Sequence, residues 1–369
     1  MANQIRVCVL GVGLAGLTFH VPFVLALPHI FRLHSVLERN PQTPGGKLHE
    51  RFGVSVRIHQ AFTQVLQDDE IDLIVVATPN DTHYPFAKAA LEAGKHVLVD
   101  KPVTTTAAQA RELGLLAKEK NLVLYAFQNR RWDSDFLALQ RLLTLPSSSP
   151  HSLGTITEFE SHYDRYRTTL KGTWKDAAGQ TYDLGSHLID QALVLFGRPQ
   201  RLTAFVQNVR GIGSPEVDDA FTILFHYDAN EARSQPLTVI LRAHILSVRS
   251  QQLRFVVRGT QGTFTKYGLD IQEDQLKEMP TPSAILGHSY GKEPESIWGT
   301  LENLATDGVV QTVWPSTSAG CYIELYKNLG ASIRGEATTS VKWEEATEVI
   351  EMIELVHKSS LERVTVAVP

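Results

Sequence analysis

The chain has 369 residues, 43% of them hydrophobic and 20% charged, an ordinary globular composition that is long enough for two packed domains. A formal net charge of −5 and the lack of any Lys/Arg run exclude a general phosphate-backbone binder, so no nucleic-acid partner is expected. Cys8 and Cys321 are too few for a disulfide framework, and no CxxC or HExxH spacing marks a metal site, so no metal is expected.

The first residues, MANQIRVCVLGVG, lack the charged region, apolar stretch and cleavage site of a signal peptide. The longest apolar run, 21–27, contains Pro22 and is too short to span a bilayer. A soluble, cytoplasmic protein with no membrane partner is expected.

Through the first 130 residues, apolar runs alternate with amphipathic segments. Runs at 5–10, 33–37, 71–77, 96–99 and 122–127 are continuous, as in strands buried on both faces of a parallel sheet. Between them, 82–93 and 106–120 have helical patterning, with Gly94 as a C-cap for the first and the run Thr104-Thr105-Thr106 offering N-cap hydroxyls for the second. This alternation predicts a doubly wound α/β domain over 1–130.

Gly11-Val12-Gly13-Leu14-Ala15-Gly16 follows the first strand directly. Gly11 permits a tight turn, Gly13 lets a pyrophosphate approach the backbone, and Gly16 allows close helix–strand packing. Gly11, Gly13, Leu14 and Gly16 are therefore candidate cofactor-binding residues. Pro22 should interrupt the first helix and shorten it without removing the site. Glu38-Arg39 ends the second strand. An acid there suits the ribose hydroxyls of NAD(H), and an arginine suits the 2′-phosphate of NADP(H). Both are present, and Arg39 tips the expectation toward NADP(H), with NAD(H) as the alternative.

The fourth apolar run leads into Asp100-Lys101-Pro102. Strand ends of this kind line the ligand crevice, so Lys101 is either a reacting-site lysine or an ordinary surface Lys-Pro. After Arg130 the rhythm changes. PSSSP at 146–150 reads as a loop, and alternation over 156–167, 202–210, 221–227, 237–241 and 253–258 predicts an antiparallel sheet with one buried face. In YDLGSHLID (182–190), Asp183 and His187 are four apart, sharing a face if the segment opens a helix. That spacing fits an acid-oriented general base, and equally a helix cap beside a buried histidine. Val349, Ile350, Ile353 and Val356 have helical spacing.

GVGLAG, ATPNDTHY (77–84), GKHVLVDKP (94–102) and YDLGSHLID together resemble the glucose–fructose oxidoreductase/inositol dehydrogenase (Gfo/Idh/MocA) family across essentially the whole chain. QNRRWDSDF (128–136), YDRYR (163–167) and TKYGLDIQEDQL (265–276) resemble its NADP-dependent scyllo-inositol dehydrogenase branch. The resemblance implies a Rossmann domain followed by an α+β domain (131–369) with a large, open, mostly antiparallel sheet, which binds substrate and joins homodimers or homotetramers. C-terminal helices packing back on the first domain are part of this expectation.

The resemblance also implies a catalytic set of Lys101, Asp183 and His187, acting on a sugar- or polyol-like substrate such as an inositol. Thr78, Pro79, Asn80 and His83 match a cofactor-side TPNxxH segment. Asn129, Arg130 and Trp174 are further cofactor-side candidates, and Arg165 and Tyr166 are substrate-side candidates. One departure is visible: Asp100 stands where the family has Glu, one methylene shorter. A dinucleotide-binding regulator without catalysis, or a reductase of a non-sugar carbonyl or imine, shares the fold and stays open. Holding lysine, acid and histidine together favours an enzyme.

Overall fold

The computed structural model describes residues 4–170, 179–231 and 233–369. Contacts divide the chain into two compact units: 1–129 with 271–291 and 321–350, and 130–270 with 292–320 and 351–369.

In the first unit, β1 (Ile5–Leu10), β2 (Phe31–Leu37), β3 (Arg57–His59), β4 (Leu73–Val76), β5 (His96–Val99) and β6 (Leu124–Ala126) form a parallel sheet in the order β3-β2-β1-β4-β5-β6. Val75 pairs with Val9 on one side and Leu98 on the other. All four residues of β4 are fully buried, which explains a continuous apolar run without alternation. This is the doubly wound order, in which the direction of strand addition across the sheet reverses between β1 and β4.

Helices α1 (Val21–Ala26), α2 (Gly46–Phe52), α3 (Phe62–Leu66), α4 (Asn80–Glu92) and α5 (Ala107–Glu119) connect these strands. The Thr106 hydroxyl caps α5 by accepting the Gln109 N–H at 3.3 Å. Helix α4 starts at Asn80, earlier than the periodicity indicates, because Pro79 is extended (φ −57, ψ 146) and ends the preceding turn. The first helix is interrupted as its proline predicts. Gly16–His20 is a π turn in which the Val21 N–H reaches back to Gly16 O, and α1 follows with Pro22 in its first turn. Pro22 has no N–H with which to continue an α-helical ladder through Thr18.

Segments 271–291 and 321–350 cluster with the first unit, crossing the division expected near residue 130. Apolar side chains explain their placement. Tyr326 stacks on Phe23 at 5.3 Å and meets Phe31 edge-on at 6.0 Å. Trp343 donates its indole N–H to Ala110 O at 2.7 Å, packed so closely on Gly114 that a Cβ there would lie 2.9 Å from the ring.

The second unit contains α6 (Ser134–Leu143), β7 (Ile156–His162) and α7 (Ser186–Phe196). Strands β8 (Arg201–Gln207), β9 (Ala220–Tyr227), β10 (Leu237–His244), β11 (Leu253–Gly259) and β12 (Gly262–Tyr267) follow. After α8 (Gln272–Glu278), which belongs to the first unit, come β13 (Gly299–Ala305) and β14 (Gly308–Trp314). Helix α9 (Ile323–Ile333) lies in the first unit, α10 (Trp343–Glu362) is divided between the two, and β15 (Val366–Ala367) closes the chain.

The sheet of this unit runs β14-β13-β12-β11-β7-β10-β9-β8-β15. Its pairs are antiparallel except β7 with β10, as the alternating sequence led us to expect. Phe221, Ile223, Phe225 and Tyr227 are buried on one face of β9 while Thr222, Leu224 and His226 are half-buried.

Candidate active site

The glycines of the loop after β1 have three different physical reasons. Gly11 has φ +93, and a Cβ there would lie 2.6 Å from Ala77 O. A Cβ on Gly16 would sit 1.9 Å from Gly11 O. Gly13 has no such neighbour: nothing lies within 4 Å of an added Cβ. Neither backbone conformation nor internal packing requires glycine at 13, so the space it leaves suits a group from outside, as a pyrophosphate would be. Leu14 is exposed beside it.

Glu38 follows β2 and is buried. Its Oε2 accepts the Lys47 N–H at 3.1 Å, while Oε1 is buried with no hydrogen-bond partner among the described residues. An orphaned carboxylate oxygen costs about 1–3 kcal/mol or more, and a ribose hydroxyl would satisfy it. Arg39 is exposed and makes no hydrogen bond or ion pair with any described residue. Its guanidinium is therefore available to a phosphate. The residues present fit a nicotinamide dinucleotide.

Thr78 and Pro79 follow β4, and the Thr78 hydroxyl lies 2.6 Å from that of Thr82, which itself donates to Pro79 O at 2.6 Å. Asn80 opens α4, half-buried. His83 is buried with Nδ1 2.7 Å from Pro102 O and Nε2 2.8 Å from Thr78 O. Both ring nitrogens face backbone carbonyls, so His83 joins the turn after β4 to the turn after β5. Burial pushes its pKa down, against the opposing influence of Asp100.

Asp100 and half-buried Lys101 follow β5, and the Lys101–Pro102 peptide is cis. Asp100 Oδ1 accepts the Lys101 N–H at 2.7 Å. Burial pushes the Asp100 carboxyl up, but His20, Lys101 and His83 around it hold it below the usual range. Asn129, after β6, is buried.

In the second unit, Thr181–Gly185 is a π turn and α7 begins at Ser186. Asp183 lies in the turn and His187 in the first turn of the helix, so their spacing is not that of a single α-helix. Asp218 Oδ2 anchors the turn's start, accepting from Thr181 N at 2.7 Å and Oγ1 at 2.8 Å. The helix itself is clamped. Asp190 receives both arms of Arg131, Gln191 donates to Arg130 O at 2.9 Å, and Arg254 donates to Gln191 Oε1 at 2.8 Å. His187 is thereby held on a rigid element, buried.

Arg130 is buried and turned to Tyr163, donating to its hydroxyl at 2.7 Å, with Asp133 3.4 Å from its other arm. Arg165 lies 4.7 Å over the same Tyr163 ring, and Tyr166 is 61% exposed. Trp174 falls outside the described residues.

His34, Asp68 and Glu70 bring potential ligand atoms within 4.8 Å of one another. Asp68 Oδ2 is, however, already paired to Arg57 at 2.9 Å and His34 at 3.1 Å. Burial opposes its charge, yet hydrogen bonds from His34, the Glu70 N–H and Arg57 hold it at about 2. No described helix is long and apolar enough to cross a membrane.

Residues 5–128 match the oxidoreductase family with an NAD-binding Rossmann fold, and 149–368 match the same family's C-terminal α/β domain. The chain belongs to the Gfo/Idh/MocA oxidoreductase family. It is an NAD(P)-dependent oxidoreductase acting on CH–OH groups. An uncharacterized oxidoreductase of Schizosaccharomyces pombe is 39% identical, over 96% of each chain. A scyllo-inositol 2-dehydrogenase (NADP(+)) of Bacillus subtilis is 32% identical, over 99% of this chain and 96% of its own. The solved structure of a putative oxidoreductase from Yersinia pestis superposes with TM-score 0.87 at 36% identity, covering 100% of this chain and 98% of its own.

Sequence reading within this family missed Asp218, Arg131, Asp190, Gln191 and Arg254 as supports of α7. Arg131 and Asp190 stood inside motifs already quoted, but nothing local pairs residues so far apart. His20 and Tyr326 were also missed.

Proposed function

We propose that the protein transfers a hydride between NADP(H), in preference to NAD(H), and a CH–OH or C=O carbon of a sugar or polyol such as an inositol. One observation carries the cofactor side. Gly11–Gly16, Glu38, Thr78 and Lys101 follow β1, β2, β4 and β5, all at one edge of one parallel sheet. Ligands bind at that edge of doubly wound sheets. The Arg39 guanidinium, unpaired among the described residues, supports NADP(H), and the Bacillus subtilis relative supports an inositol-like substrate.

When bound, the dinucleotide supplies a nicotinamide carbon that accepts or gives hydride. Gly13 admits its pyrophosphate to the backbone, Glu38 accepts from ribose, and Arg39 pairs with the 2′-phosphate. Lys101 donates to the substrate oxygen and stabilises alkoxide charge as it develops. His187 takes the hydroxyl proton in oxidation and returns it in reduction, with Asp183 setting its orientation. Arg165 and Tyr166 offer polar contacts to a hydroxyl-rich substrate.

A second copy of the chain fits the sheet of the second unit. Val309, Val310 and Val313 on edge strand β14, with Leu304 on β13, are all at least half exposed, an apolar surface suited to a homodimer or homotetramer.

The test is scyllo-inositol with NADP+, followed at the nicotinamide absorbance, beside a panel of other polyols and aldoses. Turnover of a polyol or sugar is expected. Tight NADPH binding without turnover of any of them would sink the substrate assignment.

A further inference from the structure

Three buried side chains connect the turn at Lys101 to the segment that follows the glycine loop. The Tyr326 hydroxyl lies 2.7 Å from His20 Nδ1, and His20 Nε2 faces Asp100 Oδ2 at 3.5 Å, within ion-pair range but without hydrogen-bond geometry, so that this buried nitrogen has no hydrogen-bond partner among the described residues. The other carboxylate oxygen of Asp100 accepts the Lys101 N–H at 2.7 Å. Both the His20 and Tyr326 residues are 0% exposed, and all four residues belong to the first unit. His20 stands in the π turn after the loop, its ring 4.5 Å from that of Phe127.

The order of protons along this chain follows from its members. Burial, and secondarily the charge of Asp100, push the Tyr326 phenol well above its ordinary value, so it keeps its proton. A phenol donating to Nδ1 leaves the ring proton on Nε2, the atom that faces Asp100. The phenol thus meets the imidazole as donor to acceptor, and Nε2 faces the Asp100 carboxylate across 3.5 Å. Without the His20 N–H, Asp100 Oδ2 loses a polar neighbour 3.5 Å away, and the carboxylate loses a restraint on the orientation that keeps Oδ1 on the Lys101 amide.

The geometry points to His20 as a positioning residue. Through Asp100 it fixes the turn that presents Lys101, and Tyr326 decides which His20 nitrogen does so. This rests on the reading of Lys101 as the group that meets the substrate oxygen. It ties the cofactor loop and the reacting-site lysine together, because one short segment carries both Gly16 and His20.

The test uses the full chain and reads amide hydrogen exchange at Lys101. His20→Phe keeps the ring and its contact with Phe127 but removes the donor. His20→Gln restores an N–H in reach of Asp100. In His20→Phe, exchange at the Lys101 amide is expected to accelerate by roughly tenfold while Val97–Val99 of β5 are unchanged. His20→Gln is expected to recover most of the protection. Turnover should follow the same order, kcat falling in the Phe variant with NADPH Kd within about twofold.

Unchanged Lys101 exchange in His20→Phe overturns the proposal. So does acceleration spread equally over β5, or equal loss in the Phe and Gln variants, since both mark a role in packing alone. If His20→Phe does not fold, Tyr326→Phe reads the same chain with its stack on Phe23 intact, and faster exchange confined to Lys101 is expected. Normal exchange there overturns the relay. Failure of the functional reading looks different: Lys101→Ala would keep full turnover, whatever the exchange pattern.

Discussion

Arg131 grips Asp190 with both arms of its guanidinium, Nε to Oδ2 at 2.9 Å and Nη2 to Oδ1 at 2.6 Å. Asp190 stands on α7 one turn beyond His187, so the pair fastens the helix of the proposed general base to the turn at Asn129–Trp132. Asp190 is buried. Arg131→Ala removes the fork from a buried carboxylate and should cost about 3–5 kcal/mol, read by urea unfolding. Arg131→Lys should recover only part, since an ammonium cannot reproduce two parallel bonds. A loss below about 1 kcal/mol in the alanine variant would contradict this assignment.

The loop glycines separate stability from binding. Gly16→Ala drives a methyl into Gly11 O and should destabilise by about 1–3 kcal/mol. Gly13→Ala meets no protein atom, so stability should stay within about 0.5 kcal/mol while NADPH affinity falls by about tenfold or more. Thermal unfolding and fluorescence titration of the two variants check both halves. Undiminished NADPH affinity in Gly13→Ala would place the pyrophosphate elsewhere.

Most of the first unit was legible because its signals are local. The strands β1, β4 and β5 are continuous apolar runs, and the glycine loop and the Asp100-Lys101-Pro102 turn sit directly at strand ends. The interruption at Pro22 was legible for the same reason, since a missing N–H acts within one turn. The short β3, with polar Arg57 and His59 flanking Ile58, has too little pattern to announce itself. The supports of the site were hidden because they are long-range: His20 meets Tyr326 across 306 positions, and Arg131 meets Asp190 across 59. The π turn at Thr181–Gly185 was not legible, because its composition differs in nothing from an α-helical start. Asp218, which anchors it, lies far along the chain.

Arg39 supplies a selective test of the cofactor. Only NADPH carries the 2′-phosphate, so Arg39→Ala should weaken NADPH by about 10–100-fold and NADH by less than about threefold. Equal losses would make Arg39 a stacking or general contact instead.

Glu293 adds a pH dependence inside the second unit. Burial, and then the nearby Asp135 charge, raise its carboxyl from 4.5 to about 7, although Lys266 lies 3.2 Å away. An acid whose folded pKa is raised binds more protons folded than unfolded between those values. Its contribution is therefore fully present below about pH 4.5 and is lost as pH rises to about 7, by about 3 kcal/mol in all. Unfolding free energy measured from pH 5 to pH 8 should fall more steeply in the natural protein than in Glu293→Gln. Parallel curves would remove Glu293 as the source.

Lys101→Ala bears most directly on the chemistry. Turnover of scyllo-inositol, or of whichever polyol or sugar the panel identifies, should be measured beside NADPH affinity in the same preparation. The account predicts a fall in kcat of about 100–1,000-fold with NADPH Kd changed by less than about twofold, because Lys101 acts on developing oxygen charge. Full turnover in Lys101→Ala would contradict the assignment of the turn after β5 as the catalytic edge of the cofactor site.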